Sequence, residues 1–189
     1  MLLLVLVSAV AGVFAWSFSE YAIHNWVGHL GRGRNEFSRQ HLAHHRDGRY
    51  FAPTSKKARV AALVTVMAAP LVLWLAGTLP GSVFTVAFLG TYVSYEVLHR
   101  RCHTHAPRGP YGRWVRRHHF YHHFSSPKTN HGVTSPIWDL VFSTYRAPGV
   151  VRVPERHAMD WLVDPATNEV WPQYAGDYVI ARKGDRART

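Results

Sequence analysis

The 189-residue sequence predicts an all-α fold: an integral membrane helical bundle of about three membrane segments, with a histidine-rich cap on its cytoplasmic side. Three observations predict it. Residues 1–16 and 60–95 carry no charged side chain. The basic residues behind the net charge of +11, 22 Lys and Arg against 11 Asp and Glu, crowd the segments beside those stretches. Thirteen of the 14 histidines fall in two blocks at the same boundaries. With 47% hydrophobic and only 17% charged residues, the composition is not that of a disordered chain. The length allows one domain, and the single cysteine, Cys102, excludes an internal disulfide framework, a Cys-ligated zinc site and a cysteine-held iron–sulfur cluster.

The first helix is read from residues 1–16, whose one polar side chain is Ser8, and from the apolar character that continues through Phe18, Tyr21, Ala22 and Ile23. That is enough for a span of ~20 residues. A cleaved signal peptide competes, because Ala9-Val10-Ala11 resembles a cleavage site. Against it, no basic residue precedes the apolar run and the helical pattern continues past the cut. From Val60 to Tyr95 the 36 uncharged residues are too many for one span and suit two, with turn chemistry at Gly77-Thr-Leu-Pro-Gly-Ser82. Each arm is short: residues 60–76 make ~25 Å of helix against a ~30 Å hydrocarbon core, so the hairpin spans marginally or extends into the headgroups. A buried soluble hairpin is the bland alternative, disfavoured by three such segments in so small a chain.

Charge sets the topology. Arg32, Arg34, Arg39, Arg46, Arg49, Lys56, Lys57 and Arg59 lie between the first segment and the hairpin; Arg100, Arg101, Arg108, Arg113, Arg116 and Arg117 follow the hairpin; the turn at 77–82 has none. The positive-inside rule puts the N-terminus outside and everything from Arg100 onward in the cytoplasm. The basic balance is thus explained without nucleic acid, for which no recognition motif is present. Residues 1–146 are expected to form the membrane unit and 147–189 a cytoplasmic tail: an irregular cap with a hairpin from pieces such as Trp161-Leu-Val and Tyr178-Val-Ile, then disorder from Arg182 to Thr189.

The histidines supply the chemistry. On a helix, positions i, i+3 and i+4 share a face, so His41, His44 and His45 present three imidazoles together, His99 and His103 two, and His119, His122 and His123 three. His24 and His29 are about 140° apart on a regular helix. They reach one ion only if the helix ends between them, which Gly28, Gly31 and Gly33 make plausible; otherwise they serve two ions. Ten imidazoles exceed the four to six positions of one ion, which argues for two metals. Imidazole suits Fe, Zn, Cu and Ni. A structural or hydrolytic zinc needs three or four ligands, whereas an all-nitrogen pair of redox metals with positions open for dioxygen suits oxidation of a lipid chain. His157 reads as a surface residue, and His105 and His131 stand between outer shell and solvent. Glu20, four residues before His24, and Glu96, three before His99, are candidates to hold a ring N–H; a Glu96–Arg100 ion pair is the alternative.

The ordered set H24-x4-H29, H41-x2-H44-H45, H99-x3-H103 and H119-x2-H122-H123, followed by Asn130-His-Gly-Val-Thr-Ser-Pro-Ile-Trp-Asp-Leu-Val-Phe-Ser-Thr144, resembles the fatty acid hydroxylase/sterol desaturase superfamily over roughly residues 17–146. YEVLHRRCH, RRHHFYHHF and the HLAHH box trailing into Phe51-Ala-Pro53 are most similar to the fatty acid 2-hydroxylase branch, which acts on acyl chains of sphingolipids. The resemblance implies a membrane oxygenase with a non-haem di-iron centre, O2 as co-substrate and two external electrons, its metals held by His24, His29, His41, His44, His45, His99, His103, His119, His122 and His123. His118 and His131 fall on motif-flanking positions. Trp138 and Asp139 are expected to close the cap over the site, Trp138 serving alternatively as an aromatic wall for substrate. Many relatives have four hydrophobic segments, and the eukaryotic 2-hydroxylases carry a haem electron-donor domain that these 189 residues lack. A separate donor of ferredoxin or cytochrome type is therefore expected, docking on the Arg-rich face, which favours an acidic carrier. Zinc is an expected substitute for iron in purified samples. Other readings are a carotenoid or sterol hydroxylase or desaturase, against which GVTSPIWDLVF weighs in the carotenoid case, an inactive metal-holding scaffold, and a metal transporter. A transporter should carry ionisable residues within its spans, and residues 60–95 have none.

Overall fold

Leucine, valine and alanine through the first 22 residues build one long helix. In the computed structural model of the protein, which describes residues 1–183, α1 (Leu2–Ala22) passes without a break into a π-helical segment, Ile23–His29. Asn35 caps α2 (Glu36–Arg46), its side chain accepting the Ser38 N–H at 2.7 Å. α3 (Thr54–Ala76) and α4 (Thr78–Thr104) form the hairpin. α5 (Gly109–Phe124) and the short α6 (Ile137–Val141) follow, and two four-residue strands, β1 (Val151–Pro154) and β2 (Tyr178–Ala181), come last. Among the described residues three helical stretches are long and apolar enough to cross a membrane: Leu2–His29, Thr54–Ala76 and Thr78–Thr104.

The hairpin turn is tighter than the sequence suggests. Only Gly77 lies outside both helices, at φ 84°, a conformation that costs glycine little. Pro80 and Gly81 fall in the first turn of α4, where a proline forfeits no intrahelical bond. The arms are also longer than the uncharged limits allow, at 23 and 27 residues, because both helices continue past Arg59 and Glu96 at the end away from the turn. There Glu96 pairs with Lys57 at 2.5 Å. The expected Glu96–Arg100 pair does not form; the Arg100 guanidinium lies 5.0 Å over the Phe51 ring.

α1 packs along α4 through Trp16, whose ring meets Phe88, Tyr92 and Tyr95 at 4.9–5.6 Å. Gly12 makes the closest approach: a Cβ there would stand 2.4 Å from the Phe84 carbonyl oxygen. Small residues let membrane helices meet in this way. Gly12→Val should therefore push the helices apart at a cost of about 1–3 kcal/mol, read as a lower thermal unfolding temperature in detergent. Gly90→Val, at a position with open space beyond its Cβ, is the control and should not lower it.

A second core lies at the other end of the chain and departs from the all-α expectation. Val151, Val153, Tyr178 and Ile180 point inward from β1 and β2 and pack with Val115 and Phe120 of α5, Leu162 and Cys102. The strands pair in parallel, Val151 opposite Tyr178, so they are not the expected hairpin; alternate burial needs only two strands laid on α5, and the chain between them supplies the crossover. The antiparallel bridge Val163–Val170 is the hairpin-like feature of this region. Arg182, expected at the start of a disordered end, pairs with Glu169 at 2.7 Å and Glu155 at 3.7 Å; residues 184–189 lie outside the described residues. Arg116, 3% exposed, donates to the carbonyls of Arg101 and His105 at the end of α4 and of Gly112 in α5. The His105 carbonyl is one that the end of α4 leaves without an intrahelical partner, and Arg116 so ties together the α4–α5 corner, whose two helices carry five of the ten grouped histidines.

Candidate metal centre

The ten histidines singled out by spacing come together as two groups of five. His24, His29, His41, His45 and His122 form one; His44, His99, His103, His119 and His123 form the other. Within each, one nitrogen per ring lies within 4.8 Å of all the rest. The boxes do not each present three imidazoles to one point, as their shared face suggested. His41 and His45 turn to the first group and His44 to the second, while His122 joins the first and His119 and His123 the second. Residues i and i+4 differ by ~40° around a helix, but i+3 and i+4 by ~100°. A box facing two adjacent points therefore splits between them.

His24 and His29 meet for a reason the sequence reading did not contain. The helix neither ends between them nor sends them to separate groups. It widens into the π-helical segment, where Leu30 N–H bonds to the Asn25 carbonyl at 2.9 Å, an i to i+5 closure. Residues five apart then stack on one face, and the two rings lie 5.3 Å apart.

The donor set fits cations. In the first group the His29 Nε2 lies 2.8 Å from His41 Nε2 and 3.0 Å from His122 Nε2, and the latter is 3.1 Å from His45 Nε2. In the second group His99 Nε2 and His44 Nε2 are 3.1 Å apart, and His103 Nε2 and His119 Nε2 2.9 Å. Nitrogens ~2.1 Å from one metal at right angles would be ~3 Å apart. His44 and His122 each place Nδ1 against a carbonyl, of Tyr50 at 2.8 Å and Thr129 at 2.7 Å, and His24 does the same with His131. A carbonyl only accepts, so Nδ1 carries the proton and Nε2 offers its lone pair to the group. Lone pairs crowded this closely repel unless a cation lies among them.

Neither predicted carboxylate reaches a ring. Glu20 accepts from the backbone N–H and hydroxyl of Thr134 at 2.8 and 2.6 Å, and Glu96 is taken by Lys57. The buried carboxylate beside the histidines is Asp139. It accepts the N–H groups of His131 and Gly132, both at 2.8 Å, and the Thr144 hydroxyl at 2.7 Å, and lies 3.5–3.6 Å from ring nitrogens of His118 and His131. Burial alone would raise its pKa; this ring of donors outweighs burial and holds the carboxyl well below the usual range. Trp138 does not cover the histidines or wall the site. Its ring lies 4.8–5.0 Å from those of Phe18 and Phe14 in α1, and its Nε1–H donates to Ser17 Oγ at 3.0 Å. Aromatic neighbours of the second group include Phe51, 5.0 Å from the His44 ring, Phe120, 5.1 Å from the His103 ring, and Tyr95, stacked on His99 at 5.7 Å.

Four histidines stay outside both groups. His118 is buried between Trp114 and Tyr145 at 4.9 and 5.9 Å. His131 is buried with its ring 5.2–5.6 Å from those of His122, His24 and His29. His105 is exposed and meets the Thr104 hydroxyl, and His157 stacks on Phe124 at 5.8 Å. An open pocket of about 480 Å³, lined by His29, Leu42, His45, Arg46, His123 and Pro127, reaches both groups from the outside.

The sequence model of the fatty acid hydroxylase family matches residues 9–144, a stretch that contains all ten grouped histidines. The chain belongs to the fatty acid hydroxylase family. Similar curated proteins include dihydroceramide fatty acyl 2-hydroxylase FAH1 of Arabidopsis thaliana, 30% identical over 71% of this chain and 59% of the relative. Fatty acid 2-hydroxylase of Mus musculus is 32% identical over 71% and 38% of the two chains. Ceramide very long chain fatty acid hydroxylase SCS7 of Saccharomyces cerevisiae is 30% identical over 72% and 37%. A solved structure titled full length scs7p, in which only the hydroxylase domain is visible, superposes with a TM-score of 0.59 at 29% identity, covering 78% of this chain and 58% of that one. The chain thus spans between about two fifths and three fifths of the length of these relatives.

In this member of the fatty acid hydroxylase family the histidine-bearing helices outside the candidate spans, α2 and α5, have a defined acid response. Burial pulls His44 down to about 4 and His45 to about 2, and holds His41, His119, His122 and His123 well below the ordinary value of 6.5. The unfolded chain takes up these protons near 6.5, so below that pH it binds more protons than the folded one. Stability is complete above 6.5 and falls as the pH drops, by about 1 kcal/mol per imidazole at pH 5.5. The apo protein in detergent should lose on the order of 10 °C or more in Tm between pH 7.5 and 5.5; an unchanged Tm would contradict buried neutral rings.

Proposed function

We propose that the chain is a membrane-bound oxygenase that hydroxylates a C–H bond of a lipid, fatty-acyl or related, through two iron ions. His24, His29, His41, His45 and His122 would hold one ion, and His44, His99, His103, His119 and His123 the other. The observation that carries this reading is the pair of adjacent five-nitrogen groups, in a chain whose relatives are named as fatty acid and ceramide hydroxylases. Bound iron supplies the activation of O2, with the overall balance of one C–H bond, O2, two electrons and two protons giving one C–OH and one water. The chain's own residues do the rest. The carbonyls of Tyr50, Thr129 and His131 hold three Nε2 atoms on their target. The imidazole-only donor set leaves the positive charge of the ions uncompensated by carboxylate ligands. By the positive-inside rule this end would face the cytoplasm, and a separate acidic electron carrier of ferredoxin or cytochrome type would dock on the basic surface near Arg46, where the open pocket reaches both groups.

The test is a comparison of lipids from cells with and without the gene. Products heavier by one oxygen atom are expected only where the gene is present. Unchanged lipids alongside altered metal tolerance would overturn the reading in favour of metal handling. Purified protein should carry two metal ions per chain, with zinc able to replace iron, and a ceiling of one ion would sink the two-ion arrangement.

A further inference from the structure

The structure assigns a lipid-contacting role to α6 and its flanks, the segment Pro136–Phe142: we propose that it lies in the boundary between headgroups and acyl chains of the bilayer. Sequence composition alone makes it a loop on the polar side. Its depth follows from three contacts. Arg59 and the Lys57–Glu96 pair mark the last charged layer of the hairpin at this end. Trp16 of α1 packs on Phe88, Tyr92 and Tyr95, a stretch centred one helical turn on the uncharged side of that layer, ~6 Å from it at 1.5 Å per residue and reaching to ~12 Å. Trp138 in turn packs on Phe14 and Phe18 and bonds Ser17, residues that flank Trp16 in sequence and so share its depth. Phe14 and Phe18 are each ~200° around the helix from Trp16, which puts α6 on the face of α1 turned away from α4.

What α6 then shows outward is apolar. Ile137, Leu140, Val141 and Phe142 are 45%, 58%, 60% and 41% exposed, continuous with Trp26, which touches Phe142 at 5.6 Å. Between Lys128 and Arg146 the one charged residue is Asp139, and it is fully buried. The backbone suits such a setting, where unpaired polar groups are costly: the N–H groups of Leu140, Phe142, Ser143 and Thr144 bond to the carbonyls of Pro136, Trp138, Leu140 and Asp139 at 2.7–3.3 Å. Exposed apolar area of this kind on a water-facing surface calls for an occupant, and its continuity with the lipid-facing side of α1 names the bilayer. The tie matters because Asp139, on this same helix, holds the loop that orients His24.

Nitroxide labels on Leu140→Cys and, independently, Val141→Cys test this in the full chain reconstituted in phosphatidylcholine vesicles; the native Cys102 is fully buried. Lys128→Cys serves as the water reference and Val66→Cys on α3 as the lipid reference. Collision with O2 relative to a water-soluble nickel complex should be several-fold higher at 140 and 141 than at 128, and lower than at 66. A ratio at 140 and 141 equal to that at 128 overturns the proposal while leaving the spans intact. Protection from both reagents, with spin–spin broadening between chains, overturns it in favour of a second copy of the protein. A water-like Val66 would overturn the membrane reading itself, which separates the two failures.

Discussion

His44→Ala and His45→Ala, adjacent changes on α2, should each remove a different metal ion. His45 belongs with His24, His29, His41 and His122, whereas His44 belongs with His99, His103, His119 and His123. Each variant should bind one ion per chain in place of two. The lost ion should weaken by more than the ~10–100-fold that outer partners of metal ligands are worth, and lipid hydroxylation should fall below detection. Elemental analysis of the purified variants checks the first result. Pairing with a second change identifies which ion is gone: His45→Ala combined with His41→Ala should still bind one ion, while His45→Ala combined with His44→Ala should bind none. If the neighbouring histidines proved interchangeable, with both doubles losing the same ion, the interleaving of the boxes would be wrong.

Asp139→Ala should be the most damaging change outside the ten histidines. The carboxylate answers two backbone N–H groups and a hydroxyl in a fully buried site, and a buried donor left alone costs ~1–3 kcal/mol. A loss of about 3–5 kcal/mol is expected, or on the order of 10 °C in Tm at ~2–4 °C per kcal/mol for a chain of this size. The damage should be uneven. Asp139 fixes the N–H of His131, whose carbonyl orients His24, so the first ion should be lost more readily than the second. Asp139→Asn keeps one accepting oxygen and should fall between wild type and alanine. Equal loss of both ions, or a Tm unchanged by alanine, would show that the carboxylate does not organise this loop.

Much of the bundle is legible in the sequence because membrane spans follow from local composition. The uncharged run at 60–95 fixes two helices, and the basic residues beyond it fix their ends to within the extra turns that Lys57 and Glu96 support by pairing. The ten grouped histidines are legible for a similar reason, since i, i+3 and i+4 spacing is a property of one helix. The pairing of Glu20 with Thr134, 114 residues away, is not legible, nor is the parallel pairing of β1 with β2 across the segment between them. Nor are the carbonyls that orient His24, His44 and His122, because every residue carries a carbonyl and none is marked by its side chain. Asp139 was visible as part of a motif, but its task was not: only folding brings the N–H groups of His131 and Gly132 within its reach.

By itself, then, the sequence determined that three apolar helices would carry ten spaced imidazoles at one end, because hydropathy and helical period are encoded within each segment. Tertiary structure alone decided which five share a point. A helix fixes the angle between two of its own side chains, but the place where side chains from α1, α2, α4 and α5 converge depends on how those helices pack. Just past α1 the same limit appears in miniature: the spacing of His24 and His29 leaves their meeting open, and the π-helical winding of Ile23–His29 brings the two rings to 5.3 Å.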